Sequence, residues 1–203
     1  MFTVYGDMLS GNCYKVKLIL QFLSLPHRWQ HVDILAGETH TDEFLALNPN
    51  ARIPVLISDD DFTLWESNAI LNYLAEGSTF LPSNPRDRAR VLQWQFFEQY
   101  SHEPYIAVAR YINKYLGLPA ERRAEYESKQ PGGYQALEVM EQTLARQDFF
   151  VDKQPTIADI SLYAYTHVAH EGGFDLSKFP AITSWFKRIE ALEGYVSMAR
   201  ENA

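Results

Sequence analysis

The sequence predicts a small α+β domain over residues 1–77, a linker over 78–85 and an all-helical domain over 86–203. Three observations predict it. Up to Gly77, short apolar runs alternate with helical patterns. Between Gly77 and Pro85, glycine, serine, asparagine and two prolines break the periodicity. Beyond that stretch, apolar residues recur at helical spacing almost to the end of the chain.

Phe2-Thr3-Val4-Tyr5 reads as a strand, and Gly6 to Asn12 as a loop carrying two glycines. Cys13 to Leu25 places Val16, Leu18, Ile19, Leu20, Phe22 and Leu23 at helical spacing and stops at Pro26. A second strand is predicted from His31 to Leu35, and a short polar helix from Thr41 to Leu47. Ile53 to Ile57 is a strand led in by Pro54. It turns at Asp59-Asp60-Asp61 and returns through Phe62-Thr63-Leu64 to a helix over Asn68–Glu76, so the order is β-α-β-α-β-β-α. In the second domain, residues 86–116 are helical with a kink predicted at Pro104. Residues 120–147 follow, with Pro131-Gly132-Gly133 expected to bend or interrupt them, and two more helices span Thr156–His170 and Ala181–Leu192.

The 203 residues are 46% hydrophobic and 22% charged, ordinary values for a globular chain, which excludes disorder and coiled coil. A net charge of −8 with no basic run argues against nucleic-acid binding. The single cysteine, Cys13, forms no internal disulfide and excludes multi-cysteine metal sites. His167-x-x-His170-Glu171 is too weak a spacing signal to predict a metal. No cationic segment leads into an apolar one at Met1, and no apolar run nears 18 residues, so a cytoplasmic protein is expected.

Three short motifs carry chemistry. Ser10-Gly11-Asn12-Cys13 has the C-x-x-C spacing of thioredoxin-like redox motifs, with serine in the first position, at the start of a helix. The unpaired N–H groups and positive dipole end there favour a thiolate. Ser10 either caps the helix or donates a hydrogen bond to a sulfur that belongs to another molecule. Ile53-Pro54 is either an edge-strand proline or a cis bond that frees the Ile53 backbone for an extended ligand. Glu66-Ser67 either caps the next helix or holds an amino-acid head group, with Glu66 on the ammonium and Ser67 on the carboxylate.

Together with Asn48-Pro49, Ile53-Pro54-Val55-Leu56, Glu66-Ser67-Asn68-Ala69-Ile70 and Pro155-Thr156-Ile157-Ala158-Asp159-Ile160-Ser161, these motifs resemble the cytosolic glutathione transferases over nearly the full chain. The resemblance implies a thioredoxin-like N-terminal domain and a homodimer that uses glutathione as co-substrate, with no cofactor or metal. It implies that Ser10 hydrogen-bonds the glutathione sulfur, with Asn12 as a second donor. It further implies that Ile53 pairs with the cysteinyl segment beside a cis Pro54, and that Glu66 and Ser67 hold the γ-glutamyl group. A histidine common two residues before the Ile-Pro pair is replaced by Ala51, which leaves Arg52 or His40 for the glycine carboxylate. The reaction implied is attack of the thiolate on a hydrophobic electrophile bound against the helical domain. Trp94, Phe97, Tyr100, His102, Tyr105 and Tyr111 gather there, and the Tyr105 hydroxyl is the candidate to polarise the substrate. Glutathione-dependent reduction of disulfides or peroxides, and a non-catalytic scaffold, are the alternatives. Thr156-x-x-Asp159 reads as a structural capping box.

Overall fold

Strand β1 (Phe2–Gly6) buries Val4 and Gly6 and leaves their neighbours partly exposed, the period-two pattern of a strand with one covered face. β2 (His27–His31) pairs with it in parallel. β3 (Val55–Ser58) pairs antiparallel on the other side, and β4 (Thr63–Trp65) completes the order β2-β1-β3-β4. Helix α1 (Gly11–Phe22) makes the crossover that a parallel pair requires. α2 (Asp42–Leu47) is capped by the Thr41 hydroxyl, which accepts from Phe44 N–H, and α3 (Ser67–Leu74) packs against α1.

The computed structural model describes residues 1–151 and 153–198, which divide into two units. Met1–Ser78 joins with the chain from Leu192 onward, and Thr79–Ala191 forms the other unit. The stretch from Leu192 therefore departs from the sequence reading, which gave it to the helical domain. Tyr14 on α1 is fully buried and its hydroxyl donates to Val196 O at 2.6 Å, satisfying a polar group that burial would otherwise leave without water. Gly194, at φ +84°, brings its backbone against Gln21 at the end of α1.

α1 is buried throughout Cys13–Leu20, and its approach to β1 is as close as backbone permits. A methyl group at Gly6 would stand 2.5 Å from Cys13 Sγ, so only glycine fits there. The second strand lies at His27–His31, not at His31–Leu35. Apart from Trp29 its side chains are polar, three of the five are exposed, and its place follows from register with β1, Phe2 opposite His27 and Gly6 opposite His31. Trp29 Nε1 also donates to Gly6 O at 3.0 Å. The apolar residues that suggested the later strand serve elsewhere, Val32 in a small cluster with Phe44 and Val55.

In the second unit, Asn84 caps α4 (Pro85–Phe97). A π-helical turn at Glu98–His102 leads directly into α5 (Glu103–Arg110), with Pro104 in its first turn. A second π-helical turn, Tyr111–Tyr115, follows. α6 (Arg123–Leu144) runs through Pro131, so of the bend or interruption expected there the interruption does not occur. Gly132 lies directly under the Tyr105 ring and Gly133 under Phe174, packing that a side chain at either position would block. α7 (Ile157–Thr166) and α8 (Pro180–Glu190) complete the unit. Among the described residues, no helix is long and apolar enough to cross a membrane.

The Thr156–Asp159 capping box is formed, and Asp159 does more than cap. Fully buried, its carboxylate accepts from the N–H groups of Phe150 and Thr156, the Thr156 hydroxyl and Trp185 Nε1. Desolvation pushes its pKa up from 3.8 to about 6 against the pull of those donors. Asp159→Ala leaves the Phe150 and Trp185 donors buried without this partner and is expected to cost about 3 kcal/mol in urea denaturation. Because the folded state holds this proton more tightly than the unfolded state, the Asp159 contribution falls as pH rises from about 4 to about 6. The stability of wild type relative to Asp159→Asn is therefore expected to decline over that window, and a pH-independent difference would contradict the assignment.

Candidate functional site

The candidate site in the first unit is built where α1, α3 and the loop before β3 begin. α2, α4 and α7 each start with a side-chain cap; α1 and α3 do not. Ser10 occupies the N-cap position of α1 in extended geometry, yet its hydroxyl makes no cap bond. The capping alternative for Ser10 therefore fails, and its hydroxyl does not occupy the first-turn N–H groups that attract an anion. The loop is shaped by Asp7, whose carboxylate accepts from Leu9 N–H and whose carbonyl accepts from Ser10 N–H.

Asn12 joins a polar triangle with Ser67 and with Lys15, which the sequence reading passed over. Lys15 Nζ donates to Asn12 Oδ1 at 2.8 Å, Ser67 Oγ donates to the same oxygen at 3.0 Å, and Lys15 Nζ lies 3.4 Å from Ser67 Oγ. Ser67 is buried and Lys15 fully so. The available signal for Lys15 was a basic residue inside an otherwise apolar helix, which a count of apolar spacing does not register.

The Ile53–Pro54 peptide bond is cis. β3 pairs with its neighbours only from Val55, opposite Tyr5 and Trp65, so Ile53 stands ahead of the ladder. The loop that delivers it hangs on Asn48, 1% exposed. Asn48 Nδ2 donates to Arg52 O at 2.7 Å, and Asn48 Oδ1 accepts from Asn50 N–H at 2.9 Å. Asn50 in turn donates to Glu66 Oε1 at 3.4 Å, linking this loop to the start of α3. Glu66 is exposed and sits at φ +71°, a conformation that costs a non-glycine residue about 1–3 kcal/mol and gathers at functional sites. Thus Asn12, Ser67 and Glu66 converge through direct or one-residue links. Arg52 and His40 are both exposed, His40 at the end of a short 3-10 turn over Glu38–His40.

The aromatic group foreseen in the helical unit does not form one cluster. Tyr100 is 86% exposed, Trp94 packs on Phe97 and Phe150, and His102 is fully buried with Nε2 2.9 Å from Thr166 Oγ1. The part-buried Tyr105 ring rests on α6 at Gly132, with Lys129 Nζ 6.0 Å from its centroid. His167 stacks on Tyr163 at 4.6 Å and has Nδ1 2.8 Å from Tyr163 O, and desolvation pushes its pKa down to about 4. Among the described residues, no three His, Cys, Asp or Glu side chains gather as a metal site.

A mixed four-stranded sheet with a cis proline ahead of its third strand, an uncapped helix start beside Ser10 and a separate helical unit define a thioredoxin-fold protein with an appended helical domain. Residues 9–76 match the profile of the glutathione S-transferase N-terminal domain, and residues 94–193 that of the C-terminal domain. The chain is 31% identical to "Glutathione S-transferase 1" of Schizosaccharomyces pombe, over 94% of this chain and 91% of that one. A glutathione S-transferase structure from Pseudomonas fluorescens Pf-5 superposes with a TM-score of 0.96 at 61% identity, covering 97% of this chain and 98% of that one. The glutathione transferase URE2P6 of Phanerochaete chrysosporium, in complex with oxidized glutathione, superposes at 0.85 with 30% identity over 95% and 92% of the two chains. The chain belongs to the glutathione S-transferase family.

Cys13 is the remaining sulfur nucleophile. Burial pushes its thiol up to about 12, while the hydrogen bonds of Ser10 and of the Asp7 backbone act in the opposite direction. A chromogenic aromatic disulfide is expected to titrate no thiol in the native protein at neutral pH and one per chain in denaturant. Rapid native labelling would instead make Cys13 an accessible thiol.

Proposed function

We propose that this glutathione transferase binds glutathione on its N-terminal unit and presents the thiolate to a hydrophobic electrophile. The observation that carries the reading is the uncapped start of α1, with the Ser10 hydroxyl and the Asn12 amide at its first turn. The Ile53 backbone ahead of β3 pairs with the cysteinyl segment. The start of α3 receives the γ-glutamyl group, with the Ser67 N–H and the first-turn N–H groups toward its carboxylate and Glu66 toward its ammonium, the Ser67 hydroxyl donating to Asn12. Arg52 and His40 are the two candidates for the glycine carboxylate. No cofactor takes part.

A free thiol near pKa 8.5 is about 3% thiolate at pH 7. A hydrogen bond to the charged form contributes roughly 1.5–3 kcal/mol, hence about one to two pKa units, and raises the thiolate about tenfold. The larger part of the rate must come from holding the electrophile beside the sulfur. Ser10→Ala is expected to raise the pKa of bound glutathione by about one unit, read by ultraviolet absorbance against pH, and to lower kcat/KM toward an aryl halide about tenfold at neutral pH. Intact binding with an unmoved pKa would transfer the role to Asn12 or to the helix end.

Disulfide reduction is the second reading, favoured by the oxidized glutathione held in the related URE2P6 structure. There the bound thiolate attacks a glutathionyl disulfide; one thiolate leaves as a new S–S bond forms. Turnover of that disulfide exceeding aryl-halide conjugation would favour it.

A homodimer in the cytoplasm, where glutathione is kept reduced, completes the proposal, with detoxification as its role. Leu92, Phe96 and Tyr100 recur every fourth residue and are exposed by 44%, 69% and 86%. In the first unit, Phe62 and Tyr73 are also exposed, with ring centroids 5.2 Å apart. Phe96→Glu is expected to convert a dimer to a monomer in sedimentation, and an unchanged sedimentation coefficient would remove this face from the interface.

A further inference from the structure

A fully buried lysine inside a helix asks for a reason, because taking an ammonium out of water is costly unless its hydrogen bonds are replaced. Lys15 has no relative exposure, and its Nζ is 2.8 Å from Asn12 Oδ1 and 3.4 Å from Ser67 Oγ. An ammonium only donates. Whatever faces it across 2.8 Å must therefore accept, so the Asn12 atom turned toward Lys15 is the amide oxygen and cannot be the nitrogen. The Ser67 hydroxyl, close to both, adds a second donor to the same oxygen at 3.0 Å. An amide whose oxygen is held by two donors cannot exchange its ends, and its NH2 group is then turned away from Lys15.

We propose that Lys15 is a positioning residue for the glutathione reaction, its ammonium locking the Asn12 amide so that the NH2 group is presented as a donor to the glutathione sulfur. The inference rests on the reading of Asn12 as a donor to that sulfur. It goes further by assigning the fixed orientation to a residue that touches no substrate. The same contact ties the first turn of α1 to the start of α3 through Ser67, so the sulfur end and the γ-glutamyl end of the site share one polar anchor.

The experiment is a double-mutant cycle read by the pKa of bound glutathione in wild type, Lys15→Met, Asn12→Ala and the double variant. Lys15→Met is expected to raise the thiol pKa by about one unit, and Asn12→Ala by a similar amount. The double variant is expected to rise no further than Asn12→Ala alone, because Lys15 acts through Asn12. A full additional shift in the double variant overturns the proposal in favour of the lysine's own charge acting on the sulfur. No shift in Lys15→Met overturns it outright. Where Lys15→Met does not fold, Lys15→Gln serves in its place: glutamine both donates and accepts, so it no longer dictates which end of Asn12 faces it, and a smaller rise is expected. An Asn12→Ala pKa equal to wild type removes the reading underneath while leaving glutathione binding intact. Failure of wild type to bind glutathione removes that reading and this inference together.

Discussion

The close approach of α1 to β1 at Gly6 is the constraint on which the rest of the first unit depends. With no side chain at Gly6, Cys13 Sγ sits against the strand and α1 can bury Cys13 to Leu20 almost completely. That depth decides where the helix begins, and so where Ser10 and Asn12 project. It also makes Cys13 a packing residue with a thiol pushed up to about 12. A larger residue at position 6 would displace the helix start and the whole candidate site with it.

Around that helix end, the structure accepts unfavourable local features together. Lys15 is buried, Glu66 lies at φ +71°, Ala51 at φ +54°, and two helices start without side-chain caps. Each costs stability taken alone, buried charge most of all. Their coincidence has a physical sense under the proposed function, in which the starts of α1 and α3 receive the charged groups of glutathione; the strained Glu66 is exposed to solvent. Asn48 offsets part of the cost by fastening the loop before Pro54 from both ends of its side-chain amide.

The helical unit is organised by different physics. Asp159, Trp185, Phe150 and Thr156 form one buried hub that joins the start of α7 to α8. The glycines of α6 serve as flat seats for the rings of Tyr105 and Phe174. Two π-helical turns bracket α5, and Arg110 there is buried against Glu171 at 2.7 Å. These features give a rigid frame whose aromatic side chains divide between interior packing and open surface, as the contrast between Trp94 and Tyr100 shows.

Local chemistry in the sequence was enough to determine the α+β and helical halves and the capping box at Thr156–Asp159, and to single out Ser10, Ile53-Pro54 and Glu66-Ser67 without deciding their roles. Each of these depends on spacing within a few residues, which helix and strand periods translate directly into geometry. Only the tertiary structure decided the rest. The polar edge strand at His27–His31 was set by register with β1, a non-local pairing that overrode the more apolar Val32–Leu35 run. That the Ser10 hydroxyl makes no cap bond, although serine at a helix start is a common cap, is seen only in the fold. The glycines after Pro131, read in the sequence as helix breakers, are seats within α6 for rings brought from elsewhere in the chain. Lys15 takes its meaning from Ser67, fifty-two positions along the chain and 3.4 Å away in space. Side-chain partners that distant leave no period in the sequence, so their chemistry appears only once the backbone has brought them together.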